Sequence, residues 1–279
     1  MKHVVTNEWL LAHLSEANLI IADTRFVLGQ PEAGRLAYEE GRIPGAVYLD
    51  LEKDLSAPIE AHGGRHPLPA VDILAERLGR AGITNTSRVV VYDDQGGAMA
   101  SRLWWVLQYL GHDEVYVLER GFSAWKQAGN PVDAEPKASA SGVFVPNPRK
   151  QWLVSMEEVR AKLGASGTVL IDSREAPRYR GESESIDKAA GHIPGAINKF
   201  WKDLLDEQGQ IKSAAEIAKN FADLPRDQEI IVYCGSGVTA TPNVLGLSEA
   251  GFEQVRLYAG SWSDWISYAE NPIATGNED

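Results

Sequence analysis

The chain has 279 residues, 44% of them apolar and 24% charged, enough for about two globular domains with cores of their own. A formal charge of −12 disfavours nucleic acid and anionic membranes as partners, and no uninterrupted apolar run is long enough to span a bilayer. Cys234 is the single cysteine, so no internal disulfide is available, and Met1 to Glu8 lacks the apolar core of a leader; a cytoplasmic protein is the expectation.

In chain order, Leu19-Ile20-Ile21-Ala22-Asp23 reads as a buried strand that ends on Asp23-Thr24-Arg25. Gly41-Arg42-Ile43-Pro44-Gly45-Ala46 is a turn, with proline fixing φ and glycine permitting a positive one. Val89-Val90-Val91-Tyr92 is a second strand. It breaks at Asp93 into the glycine-bearing Asp94-Gln95-Gly96-Gly97, and Ala98 to Leu110 has the apolar spacing of a helix packed on a sheet. A short strand after Gly111-His112-Asp113-Glu114 leads to Gly121 and Trp125. Four prolines between Asn130 and Pro148 mark a linker.

Beyond the linker the same order returns. Thr168-Val169-Leu170-Ile171-Asp172-Ser173-Arg174 repeats the first strand, and Gly191-His192-Ile193-Pro194-Gly195-Ala196 repeats the turn. Ile230-Ile231-Val232-Tyr233 repeats the second strand, and Gly251-Phe252-Glu253-Gln254-Val255 is followed by Gly260 and Trp262. The chain is therefore a duplication of a strand–helix unit, which implies an α/β fold with mostly parallel sheets. The expected division is 1–135, a linker at 136–150, and 151–279. The Asp-x-Arg pairs, present in both halves, are expected to be internal ion pairs, and Trp125, Trp262 and Trp265 core residues.

The position of Asp93 is held by Cys234 in the second half, followed by Gly235-Ser236-Gly237-Val238-Thr239 and a helix. Loop amides and a helix N-terminus favour a thiolate and bound anions, so Cys234 is the candidate nucleophile and the first half, with no thiol, is catalytically silent. A cysteine phosphatase needs an arginine six residues on, where Ala240 stands. A cysteine protease needs a histidine base, and the repeat leaves the placement of His62, His66 and His192 open.

These motifs resemble the tandem rhodanese-like sulfurtransferases over nearly the whole chain: two rhodanese-like domains, of which only the second carries the cysteine. The run Cys234-Gly235-Ser236-Gly237-Val238-Thr239 is similar to the active loop of 3-mercaptopyruvate sulfurtransferases; thiosulfate sulfurtransferases often have two basic residues at the places of Gly235 and Ser236. The resemblance implies sulfur transfer from 3-mercaptopyruvate or thiosulfate through a Cys234 persulfide to cyanide, a dithiol or thioredoxin, with no metal or organic cofactor. It implies that Ser236 hydrogen-bonds toward the donor, that Thr239 braces the loop, and that Arg178 clamps a carboxylate donor. The family's second clamp arginine is missing near Asp187, and Arg42 replaces a usual histidine; Arg42 and Lys188 are read as solvated charges, or else as substitutes for the missing cation. The alternative reading is a persulfide carrier with little donor turnover of its own.

Overall fold

The computed structural model describes residues 1–135 and 141–278. Contacts divide the chain into two compact units: Met1–Ala57, Pro69–Arg149 and Leu205–Ile211 form the first, and Pro58–Leu68, Lys150–Leu204 and Lys212–Asp279 the second.

Among the described residues the first unit builds one parallel sheet from β1 (Val4–Val5), β2 (Leu19–Asp23), β3 (Val47–Tyr48), β4 (Arg88–Tyr92) and β5 (Val115–Leu118), in the order β1-β5-β4-β2-β3. Its helices are α1 (Asn7–His13), α2 (Ala33–Glu40), α3 (Val71–Arg80), α4 (Ala98–Tyr109) and α5 (Gly121–Gln127). The second unit pairs β6 (Thr168–Asp172), β7 (Ala196–Asn198), β8 (Glu229–Tyr233) and β9 (Val255–Leu257) in the parallel order β7-β6-β8-β9. Around it lie α6 (Met156–Ala161), α7 (Ala176–Tyr179), α8 (Ala214–Asn220), α9 (Thr241–Glu249) and α10 (Ser261–Trp265). Both central strands, Val89–Tyr92 and Ile230–Tyr233, are buried on both faces, as unbroken Val/Ile runs are when helices cover a parallel sheet. Trp125, Trp262 and Trp265 are fully buried core residues, as expected.

Two short segments depart from the linear division of the sequence. Pro58–Leu68 belongs with the second unit because its polar groups bond there: the Gly63 amide to Asp264 (2.7 Å), the Arg65 amide to Ser263 Oγ (3.1 Å), and His62 Nδ1 to Ser267 Oγ (2.7 Å). Leu205–Ile211 belongs with the first, through Ile211 N–H to the Glu119 carbonyl and Arg120 Nε to Gln210. Of the expected linker, residues 136–140 (Pro136-Lys137-Ala138-Ser139-Ala140) lie outside the described residues. Its remainder is tied to the first unit by main-chain bonds from Gly142 to Gly79, Asn147 to Leu110 and Arg149 to Tyr109.

The repeated motifs form one network, made twice. In β6 and its extension, Asp172 receives Arg174 Nε and Nη2 (2.6 Å), and Nη2 also donates to the Gly191 carbonyl at 2.6 Å. In the first unit Arg25 Nη2 likewise reaches Asp23 and the Gly41 carbonyl. The tyrosine ending the neighbouring strand closes the ring: Tyr92 Oη accepts the Ile43 amide and Tyr233 Oη the Ile193 amide at 3.1 Å. Burial holds both phenols neutral, far above their ordinary range. The Asp-x-Arg pairs are thus internal ion pairs that hang the Ile-Pro-Gly-Ala turn on the strand ends.

Arg42 departs from the sequence reading. It is 1% exposed in the first unit, donates to the Tyr38 carbonyl (2.8 Å) and lies over the Tyr38 ring at 4.4 Å. His192 does the same in the second: Nδ1 bonds the Tyr179 carbonyl (2.7 Å) and the imidazole stacks on the Tyr179 ring at 3.9 Å. Arg42 is neither a solvated charge nor a stand-in for a clamp cation; it is the packing partner of its own turn.

Candidate active site

Cys234 follows directly on β8, and its backbone is fixed on both sides. Its carbonyl accepts the Trp262 amide (3.0 Å), the next carbonyl, of Gly235, accepts the Ser263 amide (2.9 Å), and its own amide donates to Ser261 Oγ (3.1 Å). Gly237 turns with φ +75° against the Ala259 carbonyl, where any Cβ would collide. The loop then enters α9, braced by Thr241, whose amide and hydroxyl both donate to the Val238 carbonyl (3.0 and 2.7 Å). Thr241, rather than the expected Thr239, is therefore the bracing hydroxyl. Val238 is buried and Thr239 half-buried in the same turn.

The matching loop of the first unit shows what such a turn holds. Asp93 is fully buried and accepts four backbone amides: Gln95 and Gly97 on Oδ1 (both 2.9 Å), Met99 and Ala100 on Oδ2 (2.8 and 3.0 Å). That loop is an anion cradle filled by its own carboxylate. In the second unit the cysteine supplies no such acceptor. Among the described residues, the amides of Gly235, Ser236, Val238, Thr239 and Ala240 donate to no protein group. Cys234 is 1% exposed, so the thiol is buried at the start of this loop.

Ser261 is the one non-glycine among the described residues with a left-handed backbone, φ +56°. The repeat aligns Gly121 with Gly260 by sequence, but hydrogen bonding corrects this: Phe122 N–H reaches the Asp93 carbonyl as Trp262 N–H reaches that of Cys234, so Gly121 (φ +61°) matches Ser261. A serine costs about 1–3 kcal/mol where glycine fits freely. Its hydroxyl is fully used, accepting from Cys234 N and donating to the Tyr258 carbonyl at 2.9 Å.

Charged groups gather over Gly235. A Cβ built there would lie 2.8 Å from Arg65 Nη2, 3.5 Å from Asp187 Oδ2 and 3.7 Å from Arg178 Nη2. Arg178 therefore reaches the cysteine loop, but carboxylates already hold it: Glu184 accepts Nε and Nη2 (3.0 and 2.9 Å), and Asp187 accepts Nη2 (2.9 Å). Burial pushes the Glu184 carboxyl up, but the Asp187 and Ile186 amides and Arg178 outweigh it and hold it below the usual carboxylate range. Lys188 is exposed beside this cluster.

Two residues missed in the sequence come from the Pro58–Leu68 segment. Arg65 grips Asp187 through Nε and Nη2 (2.9 and 3.1 Å), and His66 Nδ1 lies 2.8 Å from Ser236 Oγ, both groups buried. The signal was present in Gly63-Gly64-Arg65-His66: a glycine pair ahead of two cationic residue types, inside a long strandless stretch of a compact domain. His62 stacks on Tyr268 and His192 packs in its own turn, so of the three open histidines only His66 meets the cysteine loop.

The cradle itself is open to test. Asp93→Ala orphans two buried donors, Gly97 and Ala100, and two part-buried ones, Gln95 and Met99, at about 1–3 kcal/mol for each that stays dry, so the first unit is expected to lose several kcal/mol in urea unfolding. An unchanged unfolding midpoint would show that the carboxylate does not hold the loop.

The model of the rhodanese-like domain matches the chain twice, over residues 6–128 and 155–268. A probable 3-mercaptopyruvate sulfurtransferase of Pseudomonas aeruginosa is 44% identical over 98% of both chains. The thiosulfate sulfurtransferase of Gallus gallus is 34% identical over 91% of this chain and 88% of its own. Among solved structures, SseA from Escherichia coli superposes with a TM-score of 0.84 at 30% identity, covering 94% of this chain and all of that one. Two matched domains and full-length relatives named for sulfur transfer carry one conclusion: the chain belongs to the tandem rhodanese-like sulfurtransferases.

Proposed function

We propose that this chain moves sulfur from a donor to a thiol or cyanide acceptor through Cys234, with 3-mercaptopyruvate as the preferred donor and thiosulfate as the second. The observation that carries the reading is the open turn of amides beyond Cys234, set against the same turn closed by Asp93.

The Cys234 thiolate attacks the transferable sulfur of the donor. With thiosulfate the S–S bond breaks and its electron pair leaves with sulfite. With mercaptopyruvate the C–S bond breaks and the pair passes to carbon as the enolate of pyruvate, which takes up a proton. The Ser236–His66 pair, sharing one proton in its 2.8 Å contact on this loop, is placed to supply it. The outer sulfur of the resulting persulfide is anionic and takes the place in the turn that the Asp93 carboxylate holds in the first unit. An acceptor then attacks that sulfur and restores the thiolate: cyanide leaves as thiocyanate, and a dithiol such as that of thioredoxin closes to a disulfide with release of hydrosulfide.

Gly235 and Ser236 leave the loop without basic side chains of its own, which favours a carboxylate donor gripped from beside it by Arg178. The lone cysteine fits a reducing cytoplasm, and among the described residues no helix is long and apolar enough to cross a membrane.

Cys234→Ser is expected to abolish turnover with both donors and to remove the gain of one sulfur in the intact mass after donor treatment; retained turnover would refute the route. Arg178→Ala is expected to raise the KM for mercaptopyruvate at least tenfold with a smaller change in kcat, and an unchanged KM would sink the clamp. Ser261→Gly relieves the strained backbone but releases the Cys234 amide. It is expected to leave the urea midpoint little changed, because about 1–3 kcal/mol of strain relief offsets the orphaned Cys234 amide and Tyr258 carbonyl, while lowering kcat on the order of tenfold; an unchanged kcat would reduce the serine to packing.

A further inference from the structure

Two guanidiniums and two carboxylates meet over Gly235, and their formal charges cancel: Arg65 and Arg178 against Asp187 and Glu184. The carboxylates are almost completely enclosed, with side chains 2% and 4% exposed, while Arg65 stays 26% exposed. Asp187 is shared, taking Nε and Nη2 of Arg65 and Nη2 of Arg178. This occupies one edge of the Arg65 fork. Among the described residues Arg65 Nη1 donates to nothing, so the Nη1–Nη2 edge remains available for an end-on bidentate contact with a small anion. Beside it opens a cavity of about 360 Å³ lined in part by Glu60, Gly64, Arg65, Asp187, Lys188 and Ser263, where Glu60 and Lys188 add one charge of each sign.

Arg65 is held there by its own segment. Gly64 adopts φ +80° against the Gly260 carbonyl, where a side chain would collide, and the flanking amides bond Asp264 and Ser263. The guanidinium is therefore carried to the cysteine loop by backbone geometry, with Asp187 fixing its plane.

We propose that Arg65 binds the anionic end of the sulfur donor and that Asp187, as its resident counter-ion, selects among donors by charge. This rests on the Cys234 reading above. A mouth whose fixed charges cancel does not favour a second negative charge on the donor, so a monoanionic 2-oxo acid thiol is preferred over dianionic thiosulfate. Removing Asp187 leaves the mouth with one net positive charge and favours the dianion more than the monoanion; removing Arg65 does the reverse.

The test is kcat/KM for mercaptopyruvate and thiosulfate, each with cyanide as acceptor at fixed ionic strength, in the full chain and in Asp187→Asn and Arg65→Gln. The thiosulfate-to-mercaptopyruvate ratio is expected to rise about three- to tenfold in Asp187→Asn and to fall by a similar factor in Arg65→Gln, with both shifts shrinking at high salt. Loss of fold or of loop geometry lowers both donors together and leaves the ratio in place, so a ratio unmoved in both variants, or moved the same way in both, overturns the assignment. Intact-mass measurement of the unsubstituted chain after each donor separates the two readings. Absence of added sulfur on Cys234 overturns the persulfide route and this inference with it; sulfur added normally with an unmoved ratio overturns only the role of Arg65 and Asp187.

Discussion

A turn of backbone amides at the end of a buried strand demands a negative partner, and the two halves of this chain meet that demand differently. Each buried donor left unbonded costs about 1–3 kcal/mol. The first unit satisfies four of them permanently with the Asp93 carboxylate. In the second, among the described residues, the amides of Gly235, Ser236, Val238, Thr239 and Ala240 meet no protein acceptor, and a buried cysteine precedes them. That standing deficit suits the turn to a small anion: on the proposed route, stabilisation would arrive with the persulfide and depart with the transferred sulfur.

The turn holds its shape because the surrounding network is made of interactions that do not change during reaction. Asp172 and Arg174 are buried together, and Arg174 Nη2 also donates to the Gly191 carbonyl. Tyr233, one residue before Cys234, receives the Ile193 amide. The strand end, the Ile-Pro-Gly-Ala turn and the cysteine loop are thereby one rigid piece, and a one-residue shift in any of them would break a buried ion pair rather than a surface contact.

What was legible in the sequence follows from what repeats. The strands, the Asp-x-Arg pairs, the proline–glycine turns and the core tryptophans appear twice, and each occurrence checks the other. Cys234 stood out because its counterpart is Asp93. Arg65 and His66 left only the weak signal of Gly63-Gly64-Arg65-His66, and their contacts could not be placed from it, because the segment that holds them has no second copy and folds with residues more than a hundred positions away. Nor was the state of Arg178: an arginine in a sequence does not show that Glu184 and Asp187 already share it. Assigning the brace to Thr239 instead of Thr241 failed for a smaller reason, since both are threonines at the mouth of α9 and only the hydrogen bond to the Val238 carbonyl tells them apart.

The duplication also sorts structural residues from functional ones more sharply than burial does. Arg42 and His192 differ in charge and shape, yet both bond the carbonyl of a tyrosine and pack on its ring, so that difference is neutral. Gly121 and Ser261 differ in the opposite sense: they share one backbone conformation, and the second unit accepts strain that glycine would avoid. Folding supplies no motive for that exchange, because the first unit folds around the glycine. The motive lies in the hydroxyl, which takes the Cys234 amide where the first unit has only Asp93 to hold. The exchange makes the backbone worse and the cysteine loop better fixed, and in this chain it falls on the copy that carries the thiol.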